Sequence, residues 1–250
     1  MVVKIAHRGD PLLVRENTLP SLASAVEGGA DWIEVDVKLT RDGVPVLLHD
    51  DTLRRLWRVD RRVGDLVCAD LAGATAAVDR GEWCIPTLRD AVEFVLASPV
   101  SLMLDLPGVP EGEASAALVR ELGCLDRVVF TGDPRALAGI RAAAPKAVLA
   151  MSWKSPLRPP ADLMRSVRPD FLNFRHIWVT RRRVGAAHAA GLGVSAWTVD
   201  RPRRMASLAR KGVDAIITND IRALVRTLGE ATPPGPSFGA SEQRTKGTNG

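Results

Sequence analysis

Nine short β-prone runs, helix-like segments between most of them, and a length of 250 residues predict an α/β chain folded as a single (β/α)8 TIM-type barrel. The runs fall at residues 2–6, 32–37, 45–49, 101–106, 127–131, 147–151, 170–174, 193–199 and 214–218. The helix-like segments fall at 19–28, 87–97, 112–122, 134–143, 160–167, 180–190 and 201–211. So many βα units in one chain favour closure over an open sheet.

Nine runs are one too many for eight strands. The second and third are joined by TRDGV, which leaves no room for a crossover helix, so a β-hairpin irregularity is expected near residues 32–49. Asp42-Gly43 reads as a two-residue hairpin turn, which would set Asp36 opposite His49. Thr87 before LRDAVEFV predicts an N-cap, with Asp90 at the capping-box position. Asp133-Pro134 before RALAGIRAAA predicts an N-cap followed by proline at the first helical position. Residues 53–85 form an irregular excursion rich in Arg and Asp, ending in the turn-like RGEWCIP. From Gly229 the chain is rich in Pro, Gly, Ser and Thr with almost no large apolar side chains. The expected division is a barrel over 1–228 and a disordered C-terminal tail over 229–250.

Composition narrows the function. The hydrophobic fraction is 46%, ample for a large core, and the net charge is +5, carried mostly by Arg. That balance suits an anionic ligand. It does not suit nucleic acid: the Arg residues are scattered among Asp and Glu, there is no tyrosine, and five Phe supply few stacking faces. Cys68, Cys84 and Cys124 are odd in number and widely spaced, which argues against a disulfide framework or a structural zinc site. No apolar run approaches the ~20 residues of a transmembrane helix, and the N-terminus runs straight into a strand with no leader-like pattern. The expectation is a reduced, soluble, cytoplasmic protein; its oligomeric state is open.

Charge at strand ends then points to a site. His7, Arg8 and Gly9 follow the first run, Glu16-Asn17-Thr18 comes next, Glu34-x-Asp36 lies in the second run, and His49-Asp50 closes the third. Burying an unpaired carboxylate costs several kcal/mol or more, on the order of a whole protein's net stability, so repeated charge at strand ends implies one shared polar site. Glu34 and Asp36, two apart on a strand, project on one face. They repel unless a cation sits between them, and Asp105 at the end of SLMLDL offers a third carboxylate. That oxygen set suits Mg²⁺ or Ca²⁺, and no histidine pair stands at zinc spacing. His7 and His49 read as an acid–base pair for cleaving a phosphodiester, with the Arg8 fork on the phosphate oxygens. His176, near a strand end, and His188, in AAHAA, read as structural.

These residues carry a resemblance. HRGDPLLVRENT, ADWIEVDVKLTRDGVPVLLHDDTL, IPTLRDAVEF, VSAWTVD and GVDAIITND resemble the glycerophosphodiester phosphodiesterase family, barrels that release an alcohol and sn-glycerol 3-phosphate from glycerophosphodiesters in lipid metabolism. The resemblance spans about residues 4–222, most specific in the N-terminal half; 107–190 match only in rhythm. It implies that His7 and His49 are the catalytic pair, that Arg8 contacts phosphate, that Glu34 and Asp36 are metal ligands, and that Trp197 lines the substrate pocket. It also implies a small-molecule phosphodiester as the partner. The family usually carries Glu-x-Lys on its fourth strand, where this chain has Asp105-Leu106-Pro107. Lys154 or Arg175, each after a later strand-like run, could supply the missing cation, with Lys154 the first choice. Two other readings stay open on that departure: a lysophospholipase D-type or other phosphodiester cleavage, and a weakly active phosphate-binding homologue.

Overall fold

Apolar side chains at both parities along a strand can be buried only if both faces of the sheet are covered. Strands β1 (Val3–His7), β2 (Trp32–Leu39), β4 (Ser101–Leu106), β5 (Val128–Gly132), β6 (Val148–Trp153), β7 (Phe171–Arg175), β8 (Gly193–Trp197) and β9 (Ala215–Thr218) meet that condition. In the computed structural model, which describes residues 1–75 and 84–229, these eight strands pair in parallel. β1 joins both β9 and β2, so the sheet closes into a barrel. The ninth strand, β3 (Pro45–Leu47), lies outside the ring as an antiparallel hairpin on β2.

The two parities fill two layers. Ile5, Trp32, Met103, Val129, Ala150, Phe171, Ala215 and Ile217 plug the barrel interior, where Trp32 and Phe171 meet edge-to-face at 6.2 Å. The absence of a side chain at Gly193 makes room for the Phe171 ring, which comes within 2.4 Å of where a Cβ would stand. The other parity, including Ile33, Leu104, Phe130, Leu149 and Ile216, packs against the surrounding helices.

Those helices are α1 (Leu19–Glu27), α2 (Arg54–Trp57), α3 (Cys68–Thr75), α4 (Leu88–Leu96), α5 (Val109–Glu121), α6 (Pro134–Ala143), α7 (Ala161–Val167), α8 (Arg181–Ala189), α9 (Pro202–Ala209) and α10 (Ile221–Leu228). Both predicted caps are present: Thr87 and Asp90 form a reciprocal capping box, and Asp133 accepts from Arg135 and Ala136 N–H at the start of α6. α5 begins at Val109 rather than 112, because Pro110 sits in the first turn, where its missing N–H costs nothing. α10 was not expected, although Ile221, Leu224, Val225 and Leu228 follow helical spacing. The excursion holds α2 and α3 around its own apolar cluster of Leu53, Trp57, Val63, Leu66 and Leu71.

The hairpin register differs from expectation. Val37 pairs with Leu47 and Leu39 with Pro45, so Asp36 lies opposite Leu48, not His49. The cause is a three-residue loop: Thr40 Oγ1 accepts from Val44 N–H at 3.0 Å, and Gly43 takes the left-handed position at φ 78°. The expected tail lies outside the described residues apart from Gly229, as do residues 76–83 of the excursion. Cys68, Cys84 and Cys124 are free thiols. Among the described residues no helix is long and apolar enough to cross a membrane.

Candidate active site

The end of β1 turns sharply. Arg8 N–H bonds Glu34 O, continuing the parallel ladder, while Arg8 itself sits at φ 60°. Gly9 follows at φ 86°, and a Cβ there would lie 2.3 Å from Ser21 Oγ, so glycine is required. Ser21 Oγ donates to Arg8 O and accepts from Asp10 N–H, pinning the turn to α1. The register places His7 beside Glu34, and Asp36 beside Asp105. Strand pairing therefore delivers the expected residues to one mouth.

That mouth is a cavity of about 640 Å³ at the C-terminal ends of the strands, lined among others by His7, Arg8, Glu34, His49, Asp105, Lys154 and Trp197. Glu34, Asp36 and Asp105 offer oxygens that all lie within 4.8 Å of one another. Burial, then the charges of Asp36 and Asp105, push the Glu34 carboxyl well above its ordinary range. Burial and Asp36 push Asp105 up to about 6, against the pull of Lys154. Three clustered carboxylates, two buried and one half-buried, share Arg8 as their near cation, 3.0 Å from Asp36, and an all-oxygen donor set fits a hard divalent cation. Asp36 is oriented from behind by Asn17, whose Nδ2 donates to it at 2.8 Å.

The two imidazoles stand in unlike surroundings. His7 Nδ1 lies 2.7 Å from Asn219 Oδ1, and Asn219 Nδ2 donates to Asp200 at 3.0 Å. The amide is thereby oriented with its oxygen toward the ring, which puts the proton on Nδ1 and leaves Nε2 a lone pair near Glu34. Burial and the adjacent Arg8 charge hold the His7 pKa below its usual value. His49 is half exposed, and its Nδ1 contacts Asp50 Oδ1 at 2.7 Å.

Arg8 is braced more than the sequence suggested. Nη1 donates to Glu16 at 2.9 Å, and Nε stands 3.0 Å from Asp36 without hydrogen-bond alignment. Lys154 enters the cavity from the end of β6, its Nζ 6.0 Å from the Trp197 ring centroid. Arg175 is exposed and is not among the cavity's lining residues. His188 pairs with Asp214, and His176 accepts from Arg204, both outside the cavity lining.

Sequence reasoning missed several residues. Asn17, Asp50 and Asn219 were visible within ENT, HD and TND but had no partner without the fold. Thr131, Ser152, Asn173 and Ser195 form a neutral ladder: Thr131 and Ser152 hydroxyls at 3.0 Å, Asn173 Nδ2 donating to Ser152 at 3.1 Å, and Ser195 donating to Asn173 at 2.8 Å. Their only signal is inward parity on their strands.

The family model for the glycerophosphoryl diester phosphodiesterase family matches residues 7–223. A glycerophosphodiester phosphodiesterase of Caldanaerobacter subterraneus subsp. tengcongensis is 29% identical over 233 residues, 88% of this chain and 95% of its own. A phosphodiesterase of Oleispira antarctica, solved in complex with the product sn-glycerol-3-phosphate, is 27% identical with a TM-score of 0.80, covering 91% of this chain and 96% of that one. A solved chain from Silicibacter pomeroyi, 24% identical with a TM-score of 0.79 over 90% of this chain and 92% of its own, shares the fold. The chain belongs to the glycerophosphoryl diester phosphodiesterase family, an enzyme family of phosphoric diester hydrolases.

Proposed function

We propose that the chain is a divalent-cation-dependent phosphodiesterase that converts glycerophosphodiesters to an alcohol and sn-glycerol 3-phosphate by His/His acid–base catalysis. One observation carries the reading: two imidazoles held in opposite ways face one cavity beside three clustered carboxylates. Glu34, Asp36 and Asp105 would hold Mg²⁺ or Ca²⁺, which supplies positive charge against the charge developing on the phosphoryl oxygens.

His7 is the general base. Its pKa is held down and its Nε2 is unprotonated, so Nε2 can take the proton of the attacking hydroxyl. His49 is the general acid. Asp50 accepts from its Nδ1 and stabilises the imidazolium, whose Nε2 proton goes to the leaving alkoxide as the P–O bond breaks. Lys154 and Arg8 share the phosphate charge, and Lys154 takes the part that Pro107 cannot. Trp197 forms an apolar wall of the substrate pocket. The Oleispira antarctica enzyme's complex with sn-glycerol-3-phosphate supports the product assignment.

Phosphorus NMR of glycerophosphocholine cleavage tests the reading. The expected record is a growing sn-glycerol 3-phosphate resonance that needs Mg²⁺ or Ca²⁺. A transient cyclic phosphate would assign the attack to the substrate's own hydroxyl rather than to water. No conversion with either cation would reject the function. A second reading, cleavage of lysophospholipids, is favoured by Leu12, Leu13, Leu157 and Ile177, exposed on the loops after β1, β6 and β7. A higher kcat/KM for lysophosphatidylcholine than for glycerophosphocholine would select it.

A further inference from the structure

Arg55 takes no part in the chemistry above, yet it connects two of the groups that do. Its Nε donates to Asp50 Oδ2 at 2.6 Å. Its Nη1 and Nη2 donate to the two oxygens of Glu16 at 3.1 and 2.6 Å. Beyond each carboxylate stands a cavity residue: Asp50 holds His49 Nδ1, and Glu16 holds Arg8 Nη1. One guanidinium thus completes a continuous path, His49–Asp50–Arg55–Glu16–Arg8, between the end of β3 and the loop after β1.

We infer that Arg55 is a positioning residue for the reaction, clamping those two loops so that the His49 imidazole and the Arg8 guanidinium keep a fixed relative geometry. The inference rests on the phosphodiesterase reading. Three features support it. The fork geometry suits a guanidinium: five N–H donors in one plane can engage two carboxylates at once, which a single ammonium cannot do in the same way. The clamp is mounted rigidly, because Arg55 shares α2 with the buried Trp57, which packs in the excursion's own apolar cluster. Arg15, from the same loop as Glu16, lies 4.4 Å over the Trp57 ring, a second tie between loop and excursion. Arg55 is 45% exposed, so its ion pairs add little to folding stability. Its effect falls on geometry, where a misplacement of about 1 Å can cost on the order of 10²-fold in rate. The clamp also gives the excursion a purpose that its irregular sequence does not reveal.

The test uses Arg55→Ala and Arg55→Lys in the full chain, with glycerophosphocholine and saturating divalent cation. Arg55→Ala is expected to lower kcat by about 10–10²-fold, with KM within about threefold and a melting temperature close to wild type. Arg55→Lys should recover only a few-fold of that loss, and millimolar guanidinium should partly restore Arg55→Ala. The penalty should shrink sharply in a His49→Ala background, since both changes then act on the same group. A kcat for Arg55→Ala within about twofold of wild type, full recovery by lysine, or an undiminished penalty without His49 would each overturn the inference. Nitrogen-15 NMR of the His49 ring reads the clamp without turnover. A fixed Nδ1–H in the wild type should be lost in Arg55→Ala, and unchanged ring signals would overturn the clamp. An inert wild type with that ring change would instead fault the function and leave the clamp standing.

Discussion

The cavity has two unlike walls. The ends of β1 to β4 bring charge: His7, Arg8, Glu34, Asp36, His49 and Asp105. The ends of β5 to β8 bring Thr131, Ser152 and Asn173 of the neutral ladder, with Trp197 beside them; the charged exceptions are Lys154 and Asp133, the latter capping α6. The neutral wall satisfies its own hydrogen bonds, so it can be desolvated at little cost. The charged wall cannot: burial and neighbouring carboxylates push the Glu34 carboxyl well above its ordinary range and Asp105 up to about 6. A wall of clustered carboxylates and two imidazoles is suited to reaction, and a self-satisfied wall is suited to shape and recognition.

The largest expected effect breaks the charged wall outright. A chelator should abolish activity, with Mg²⁺ or Ca²⁺ restoring it, and Glu34→Gln should raise the cation concentration needed. Full activity in excess EDTA would remove the metal site. Because Glu34 and Asp105 hold protons to unusually high pH, protons compete with the cation. Calorimetric titration should find the cation binding more weakly as pH falls through about 6.

Next, His7→Ala and His49→Ala should each lower turnover by ~10²–10⁴-fold. Near-normal turnover of either variant under saturating metal would cancel its role.

Lys154 tests whether charge crosses between the walls. Lys154→Ala should lower kcat/KM by ~10–10²-fold, the worth of one desolvated charge contact. Arg175→Ala, outside the cavity lining, should stay within about twofold. Equal effects from both would erase the distinction between them.

The smallest effect belongs to the neutral wall. Ser152→Ala removes the centre of the ladder and should raise KM by roughly 2–10-fold, the worth of one hydrogen bond, with kcat nearly unchanged. A kcat loss as large as that of His49→Ala would show that this wall takes part in the reaction.

The same contrast explains what could be read from the amino-acid string. Charge inside a β-prone run is anomalous, so His7, Glu34, Asp36, His49 and Asp105 declare themselves locally. Ser152, Asn173 and Ser195 are ordinary strand residues, and nothing local distinguishes inward from outward parity. Partners distant in sequence, such as Asn219 for His7, become evident only once the barrel closes. Strand positions followed from pattern nearly to the residue, whereas the hairpin register depended on a Thr40 hydroxyl bond that lengthened the loop by one residue.

The bond between His7 and Asn219 spans 212 positions, and the contact of Arg222 with Asp10 beside it spans as many. Both tie the first βα unit to the last. During synthesis every ionisable group of the proposed reaction is therefore made before the amide that fixes the tautomer of the first of them. A nascent chain lacking its final strand would hold the reagents without the arrangement that makes one of them a base. Competence would arrive with ring closure as one late event rather than accumulating unit by unit.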